Sequence, residues 1–185
     1  MAETTDDADA MKLAKQAQRR QARDGRKSLS PEYRETASKL ICGHICSSST
    51  FATAATVASY EWMHSEVQTA ELNEAIRGSG KRLIVPEVIG PTSMRFLLFE
   101  DRSVEVDLAQ AEMIVVPCVG FDLAGNRIGN GRGYYDRALA RVTGRRVCVA
   151  FDAQRIDSLT VEPTDTPMHI VITESGPVVG EELWV

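Results

Sequence analysis

Apolar positions along this chain recur with two different periods. Between Ser30 and Cys46, the residues Tyr33, Ala37, Leu40, Ile41 and Ile45 fall three or four apart, which places them on one face of a helix. Ser30 followed by Pro31 marks its start, because serine is a favoured N-cap and proline loses nothing at the first helical position. Further on, short apolar runs bounded by turn residues take over. Ala54–Tyr60, Arg82–Val85, Met94–Phe99, Met113–Val116, Val147–Phe151 and Ile170–Thr173 predict strands. Helices are predicted at Thr69–Ile76, stopping at Gly78, and at about Tyr134–Arg141, with Ser47–Thr50 as a loop. Strands alternating with helices predict an α/β fold: one domain, a three-layer sandwich with a mostly parallel central sheet flanked by helices.

The ends of the chain read differently. Residues 1–10 are polar and acidic and predict a disordered lead-in; from Ser175 onward, residues 175–185 predict a tail packed on the surface or loose. Between lead-in and first cap lies a proline-free, Ala- and Gln-rich stretch that predicts a helix. Lys15, Arg19, Arg23 and Lys27 recur every fourth residue along it and line one stripe. Like charges at this spacing repel unless an anion or acidic partner offsets them.

Composition narrows the classes. With 185 residues, 43% apolar and 25% charged, the chain fits a single globule with its own core. A net charge of −5 argues against a nucleic-acid partner. No apolar run approaches the roughly 18 residues of a membrane span, and no signal-like segment opens the chain, so the expectation is a cytoplasmic protein with no membrane partner. Cys42, Cys46, Cys118 and Cys148 form no C-x-x-C and lack a second ligand pair at zinc spacing, so buried thiols are expected rather than zinc or disulfides. His44 is read as structural; His64 and His169 carry no assigned role.

Candidate chemistry concentrates in Met113–Arg137, MIVVPCVGFDLAGNRIGNGRGYYDR. An apolar strand runs through a proline into a turn at Leu123–Asn126, then into Arg127-Ile128-Gly129-Asn130-Gly131-Arg132-Gly133. Glycines at every second position free the backbone and leave its N–H groups approachable by a bulky anion. Two arginines add charge, and the helix expected after Tyr134 starts where anions are favoured. A polyphosphate is the guest these features suit. Two familiar phosphate loops are excluded, since the chain contains no G-x-x-x-x-G-K-[ST] and the third glycine arrives one residue early for G-x-G-x-x-G.

The string V-P-C-V-G-F-D-x-x-G-N-R-I-G-N-G-R-G-Y-Y-D-R resembles the signature of the 5-formyltetrahydrofolate cyclo-ligase family, with weaker matches from about Lys15 to Glu174, so residues 11–174 are read as a cyclo-ligase-like domain. The resemblance implies ATP and Mg²⁺ as cofactors, a reduced folate as substrate and a monomer. It places Lys15 and Arg19 on the ATP phosphates, and Arg23 and Lys27 on the surface. Arg127, Ile128, Gly129, Asn130, Gly131, Arg132, Gly133, Tyr134 and Tyr135 would contact ATP, with Asn130 to Tyr134 also near the substrate. Arg132 is assigned to the γ-phosphate and Arg127 to positioning, as the catalytic pair. Asp136 and Asp165, the latter in Glu162-Pro163-Thr164-Asp165, would serve the metal. Glu66, in Glu66-Val67-Gln68-Thr69, would hold the folate, since a carboxylate accepts the adjacent N–H groups of a pterin together. Met63 would pack on the flat ring, while Trp62 is expected in the core.

The implied reaction is conversion of 5-formyltetrahydrofolate to 5,10-methenyltetrahydrofolate. The formyl oxygen is phosphorylated, N10 closes the ring and phosphate departs. Such work needs positioning and charge, not a covalent nucleophile. Several positions depart from the family pattern: the short stretch between Phe99 and Met113, Gln68 and His169 in place of aspartates, and Asn130 in place of a larger residue. The short stretch removes or rebuilds one wall of the folate pocket. Two other readings therefore stay open: a degenerate relative that binds nucleotide or folate without turnover, and an ATP-dependent ligase acting on another small substrate.

Overall fold

A computed structural model describes residues 5–184 of the chain. Its elements in order are α1 (Thr5–Ser28), α2 (Pro31–Cys46), α3 (Ser49–Thr53), β1 (Thr56–Ala58), α4 (Ala70–Gly78), β2 (Arg82–Val88) and β3 (Met94–Leu98). Then follow β4 (Met113–Pro117), β5 (Gly120–Phe121), β6 (Arg127–Ile128), α5 (Tyr134–Leu139), β7 (Arg145–Val149), β8 (Ile170–Thr173) and β9 (Gly176–Val179). Seven strands form one sheet in the order β3-β2-β1-β4-β7-β8-β9. The five central strands are parallel, and β3 and β9 pair antiparallel at the two edges. The expected mixed α/β sandwich is the fold of this chain.

Period-two alternation builds two cores. Val57, Leu83, Val85, Met113, Val115, Val147, Val149, Ile170 and Ile172 face one way and pack with Ile41, Ile45, Phe51, Leu72 and Ile76 of α2, α3 and α4. Ala58, Ile84, Ile114, Val116, Cys148 and Val171 face the other way, onto Leu139 of α5 and onto Val106, Leu108 and Ala111 of the segment before β4. Strands buried on both faces explain why these runs are continuously apolar in sequence.

The α2 cap forms as the sequence predicts, with Ser30 Oγ accepting from Tyr33 N at 3.1 Å. Its buried face differs, comprising Ala37, Ser38, Ile41, Cys42 and Ile45. Tyr33 and Leu40 are exposed, because Tyr33 turns its phenol outward to donate to Glu174 Oε1 at 2.9 Å. A short helix, α3, replaces much of the expected Ser47–Thr50 loop, capped by Ser48 Oγ accepting from Phe51 N. β1 is shorter than Ala54–Tyr60. β2 runs past Val85, because Pro86 lies beyond the reach of β1 and forfeits no ladder bond there.

Both chain ends depart from expectation. Residues 1–4 of the predicted lead-in lie outside the described residues, and residues 5–10 already belong to α1. Beyond Ser175 the chain adds the edge strand β9 and places Trp184, 9% exposed, in the first core. All four cysteines are free thiols, and burial pushes that of Cys42 up to about 12. No helix among the described residues is long and apolar enough to cross a membrane.

α1 belongs to neither helical layer. It crosses the carboxyl ends of the strands, where Ala22 packs with Val119, Ile128, Ile156 and Leu159. Two glycines permit the approach: a Cβ on Gly25 would fall 2.1 Å from Ala153 O, and one on Gly120 would fall 2.8 Å from Ala22 Cβ. Gln18 secures the helix further, donating to Ser158 O at 3.0 Å and accepting from Thr160 N at 3.1 Å.

Gly25→Ala tests this docking by its sign. Helix propensity alone favours alanine by about 0.5–1 kcal/mol, whereas the clash with Ala153 O costs roughly 1–3 kcal/mol. The thermal midpoint is expected to fall by several degrees, and a rise would mean that α1 does not pack on this segment. Trp184→Ala is expected to cost about 3 kcal/mol in urea unfolding; a change below about 0.5 kcal/mol is what a loose tail would give.

Candidate functional site

The parallel strands are ordered β2-β1-β4-β7-β8, so the chain reverses its direction of winding between β1 and β4. Ligands in such sheets sit beyond the carboxyl ends of the strands at that reversal. A cleft of about 1340 Å³ opens there, bordered by Tyr60 after β1 and by Pro117 to Val119 after β4. Every site residue predicted from sequence borders it: Lys15, Arg19, Met63, Glu66, the whole run Arg127 to Asp136, and Asp165. Ion pairs and hydrogen bonds between distant segments draw these residues together.

Arg127 lies at the base of the loop. Its side chain is 4% exposed and pairs with Asp136 Oδ1 at 2.5 Å, nine residues on. Its guanidinium lies 5.8 Å from the centre of the Tyr135 ring, and its Nε, although buried, makes no hydrogen bond. Burial above all pushes the Tyr135 phenol well above the ordinary tyrosine value, with Arg127 opposing.

The alternating glycines do more than leave amides bare. A Cβ on Gly129 would fall 3.4 Å from Arg127 Nη1, one on Gly131 3.4 Å from Arg19 Cζ, and one on Gly133 2.8 Å from Arg137 Nη1. Only at Gly133 would a Cβ crowd a guanidinium; at Gly129 and Gly131 these are ordinary contact distances. Gly131 and Gly133 also have φ of 94° and 64°, where L side chains are strained. Arginines from three segments thus surround the loop, while α5, with six residues, contributes little dipole. Arg132 is exposed, and its side chain makes no hydrogen bond or ion pair with the described residues.

α1 supplies the facing wall. Arg19 Nε donates to Gly129 O at 3.0 Å. Lys15, 7% exposed, donates to Glu162 Oε2 at 2.5 Å and to Asp165 Oδ2 at 2.6 Å. Burial works against the Lys15 ammonium, but the hydrogen bonds and charges of Asp165 and Glu162 outweigh it and raise the pKa above the ordinary lysine value. Arg23, expected on the surface, reaches the loop and donates to Asn130 Oδ1 at 3.0 Å. The fourfold spacing of the stripe carried that signal; only Lys27 stays exposed and remote.

The other side of the cleft is built by residues 60–69. Tyr60 O accepts from Thr69 Oγ1 at 2.5 Å and from Asn73 Nδ2 at 3.1 Å, which closes the loop. Glu66 lines the cleft, and its Oε2 accepts from Met63 N at 3.1 Å, which leaves the carboxylate acceptor capacity to spare. Trp62 is not core: it is 40% exposed and lines the cleft beside Met63, which is 62% exposed. The short segment 100–112 lines no part of the cleft. It folds back on β3 through Val106 N to Phe96 O at 2.9 Å, and the wall there is made by Pro86, Glu87, Val88 and Met94.

Two buried polar residues hold the loop's root, and sequence reasoning missed both. Asp122 accepts from Ala124 N, Asn126 N, Asn126 Nδ2 and Leu159 N, all at 2.9–3.0 Å. Gln154 Nε2 donates to Cys118 O and Val119 O. His169 lies against the Arg146 guanidinium, and burial with that charge lowers its pKa; His44 meets Glu174 O at 3.3 Å. Among the described residues no three or more His, Cys, Asp or Glu side chains converge as metal donors. Asp136 and Asp165 each face a cation of the protein instead.

A sequence model of the 5-formyltetrahydrofolate cyclo-ligase family matches residues 11–174. The 5-formyltetrahydrofolate cyclo-ligase of Escherichia coli (strain K12) is 28% identical over 176 residues, covering 83% of this chain and 96% of that protein. The solved 5,10-methenyltetrahydrofolate synthetase from Mycoplasma pneumoniae superposes with a TM-score of 0.78 at 27% identity, covering 86% of this chain and 98% of that one. The corresponding synthetase from Aquifex aeolicus gives 0.78 at 29% identity, over 88% and 91% of the two chains. Sequence signature, sheet order and relatives agree, and the chain belongs to the 5-formyltetrahydrofolate cyclo-ligase family.

Proposed function

We propose that this chain converts 5-formyltetrahydrofolate to 5,10-methenyltetrahydrofolate with ATP and Mg²⁺, releasing ADP and phosphate. One observation carries the reading: a single cleft of about 1340 Å³ holds both the arginine-ringed loop and the Glu66 wall. Pockets for one small ligand are commonly about 300–1,000 Å³, so this one has room for two reactants side by side.

The residues fit a Mg-triphosphate. The buried Arg127 Nε lacks a partner, Gly133 holds a φ of 64° at which an L side chain is strained, and two carboxylates border the cleft. Mg²⁺ takes oxygen donors, typically one or two carboxylates with phosphate oxygens, and Asp136 and Asp165 supply that set. Held there by Asp136 and Asp165, the ion would supply positive charge to offset that of the phosphoryl groups. Lys15 and Arg19 hold phosphates, Arg127 fixes the loop through Asp136 and Tyr135, and Arg132 is free to meet the γ-phosphoryl as its charge spreads. Glu66 accepts pterin N–H groups while Trp62 and Met63 flank the ring. The formyl oxygen bonds to the γ-phosphorus as the bond to ADP breaks. N10 then bonds to the formyl carbon as phosphate leaves with the former formyl oxygen, and the N10 proton is released. The setting proposed is the cytoplasm, as a monomer using small molecules rather than nucleic acid or membrane.

Protein mixed with Mg-ATP and 5-formyltetrahydrofolate is expected to generate the near-ultraviolet absorbance of the methenyl product. ATP binding without product would mean a degenerate relative or a different substrate. Arg132→Ala is expected to cut turnover by about a hundredfold or more with an unchanged thermal midpoint, because its side chain holds nothing in the fold; equal loss of both would remove Arg132 from the reaction. Lys15→Met releases Glu162 and Asp165 from the ammonium. Nucleotide-free Mn²⁺ binding, read by electron paramagnetic resonance, is expected to tighten, while ATP binding weakens by about tenfold. Unchanged Mn²⁺ affinity would take Asp165 out of the metal site.

A further inference from the structure

Arg137 is exposed on α5, has no carboxylate partner among the described residues, and yet is held at three points. Its Nε donates to Thr92 O at 3.0 Å, its Nη2 donates to Arg132 O at 2.7 Å, and its guanidinium lies 5.8 Å from the centre of the Tyr134 ring. Gly133 makes room for it, since a Cβ there would fall 2.8 Å from Arg137 Nη1. Beside this fork, Tyr134 OH donates to Gly90 O at 2.9 Å.

Thr92 and Gly90 belong to the tip joining β2 to β3. Apolar packing does not hold that tip, for Val88 and Ile89 are each 57% exposed. Apart from its own Ile89 N to Ser93 O closure, its hydrogen-bond anchors among the described residues are the bonds from Arg137 and Tyr134. A segment with little buried apolar area and few anchors moves with whatever it is tied to. Here it is tied to the glycine loop, and its flanks, Val88 and Met94, line the same cleft as Glu66.

We infer that Arg137 is a positioning residue that couples the two halves of the cleft: seating a nucleotide on Arg132 and Gly133 sets the β2–β3 tip, and with it the wall of the folate half. The inference rests on the two-ligand reading above. A planar guanidinium reaches two carbonyls from separate segments at fixed angles, which an ammonium does not reproduce. Coupling between sites is reciprocal, so each ligand tightens the other by the same factor.

The test is calorimetric titration of a non-hydrolysable ATP analogue with Mg²⁺, with and without 5-formyltetrahydrofolate, and the converse titration. It is run on the unaltered chain and on Arg137→Ala, Arg137→Lys and, as control, Arg141→Ala, an exposed arginine outside the cleft. In the unaltered chain and the control, each ligand is expected to tighten the other by about fivefold or more. In both Arg137 variants that ratio falls toward one while the thermal midpoint holds; the lysine variant keeps charge and bulk should the alanine variant fold poorly. Full coupling in folded Arg137→Lys, or binding of both ligands to the unaltered chain without coupling, overturns this inference alone. Binding of neither ligand overturns the cyclo-ligase reading with it.

Discussion

Lys15, Arg19, Arg23 and Lys27 would repel one another along one side of an isolated helix, at a cost of a few tenths of a kcal/mol per pair. Laying α1 across the carboxyl ends of the strands resolves that tension. Lys15 gains two carboxylates, Arg19 the carbonyl of Gly129, and Arg23 the amide oxygen of Asn130. The close approach at Gly25 and Gly120 makes the placement possible. The sheet supplies a floor and the glycine loop a rim, and α1 brings the basic stripe to both. Any change that lifts α1 away therefore acts on stability and on the cleft together.

The same contacts show how a charged cleft stays stable without a ligand. A buried ammonium is costly unless it is paired and hydrogen-bonded, and Lys15 meets both conditions between Glu162 and Asp165. Arg127 and Asp136 satisfy one another in the same way. These cations and carboxylates are the groups that the proposed reading assigns to phosphate and metal. Binding a metal–triphosphate then exchanges partners of like sign at each position, which avoids stripping a buried charge of every partner. On that reading, Asp136 and Asp165 need not converge on one point before a nucleotide arrives.

Much of the fold was legible because period-two alternation and helix capping are local. Ser30 and Pro31 start α2 where expected, and the five parallel strands fall on runs that are apolar on both faces. What escaped was decided by distant partners. Tyr33 fits a helical core stripe but leaves it for Glu174, and the tail becomes a strand because β8 offers it an open edge. At the site, the glycine spacing singled out a loop that does border the cleft, but a missing Cβ matters to a guanidinium only at Gly133, where one would fall 2.8 Å from Arg137 Nη1; at Gly129 and Gly131 it would meet Arg127 and Arg19 at ordinary contact distance. Asp122 stands in the signature string with no role assigned to it there, and Gln154 carries no sequence signal of its own; their burial identifies both as supports.

The short 100–112 segment shows why a departure in sequence need not be a loss in the site. It lines no part of the cleft; Val106, Leu108 and Ala111 fill the second core, shared with Met94, Leu139 and Val142 of the cleft lining, and Arg102 meets Glu61 at 3.0 Å while its guanidinium lies 4.8 Å from the centre of the Phe99 ring. An exposed pair of this kind is worth about 0–1 kcal/mol, enough to orient the 61–66 loop but not to hold it. The holding is done by Thr69 and Asn73 on Tyr60 O. That loop keeps Trp62 and Met63 exposed beside the Glu66 carboxylate. Burying such apolar area returns roughly 25 cal/mol per Å², which is why the proposed reading sets a flat heterocycle bearing N–H groups against these side chains and the carboxylate.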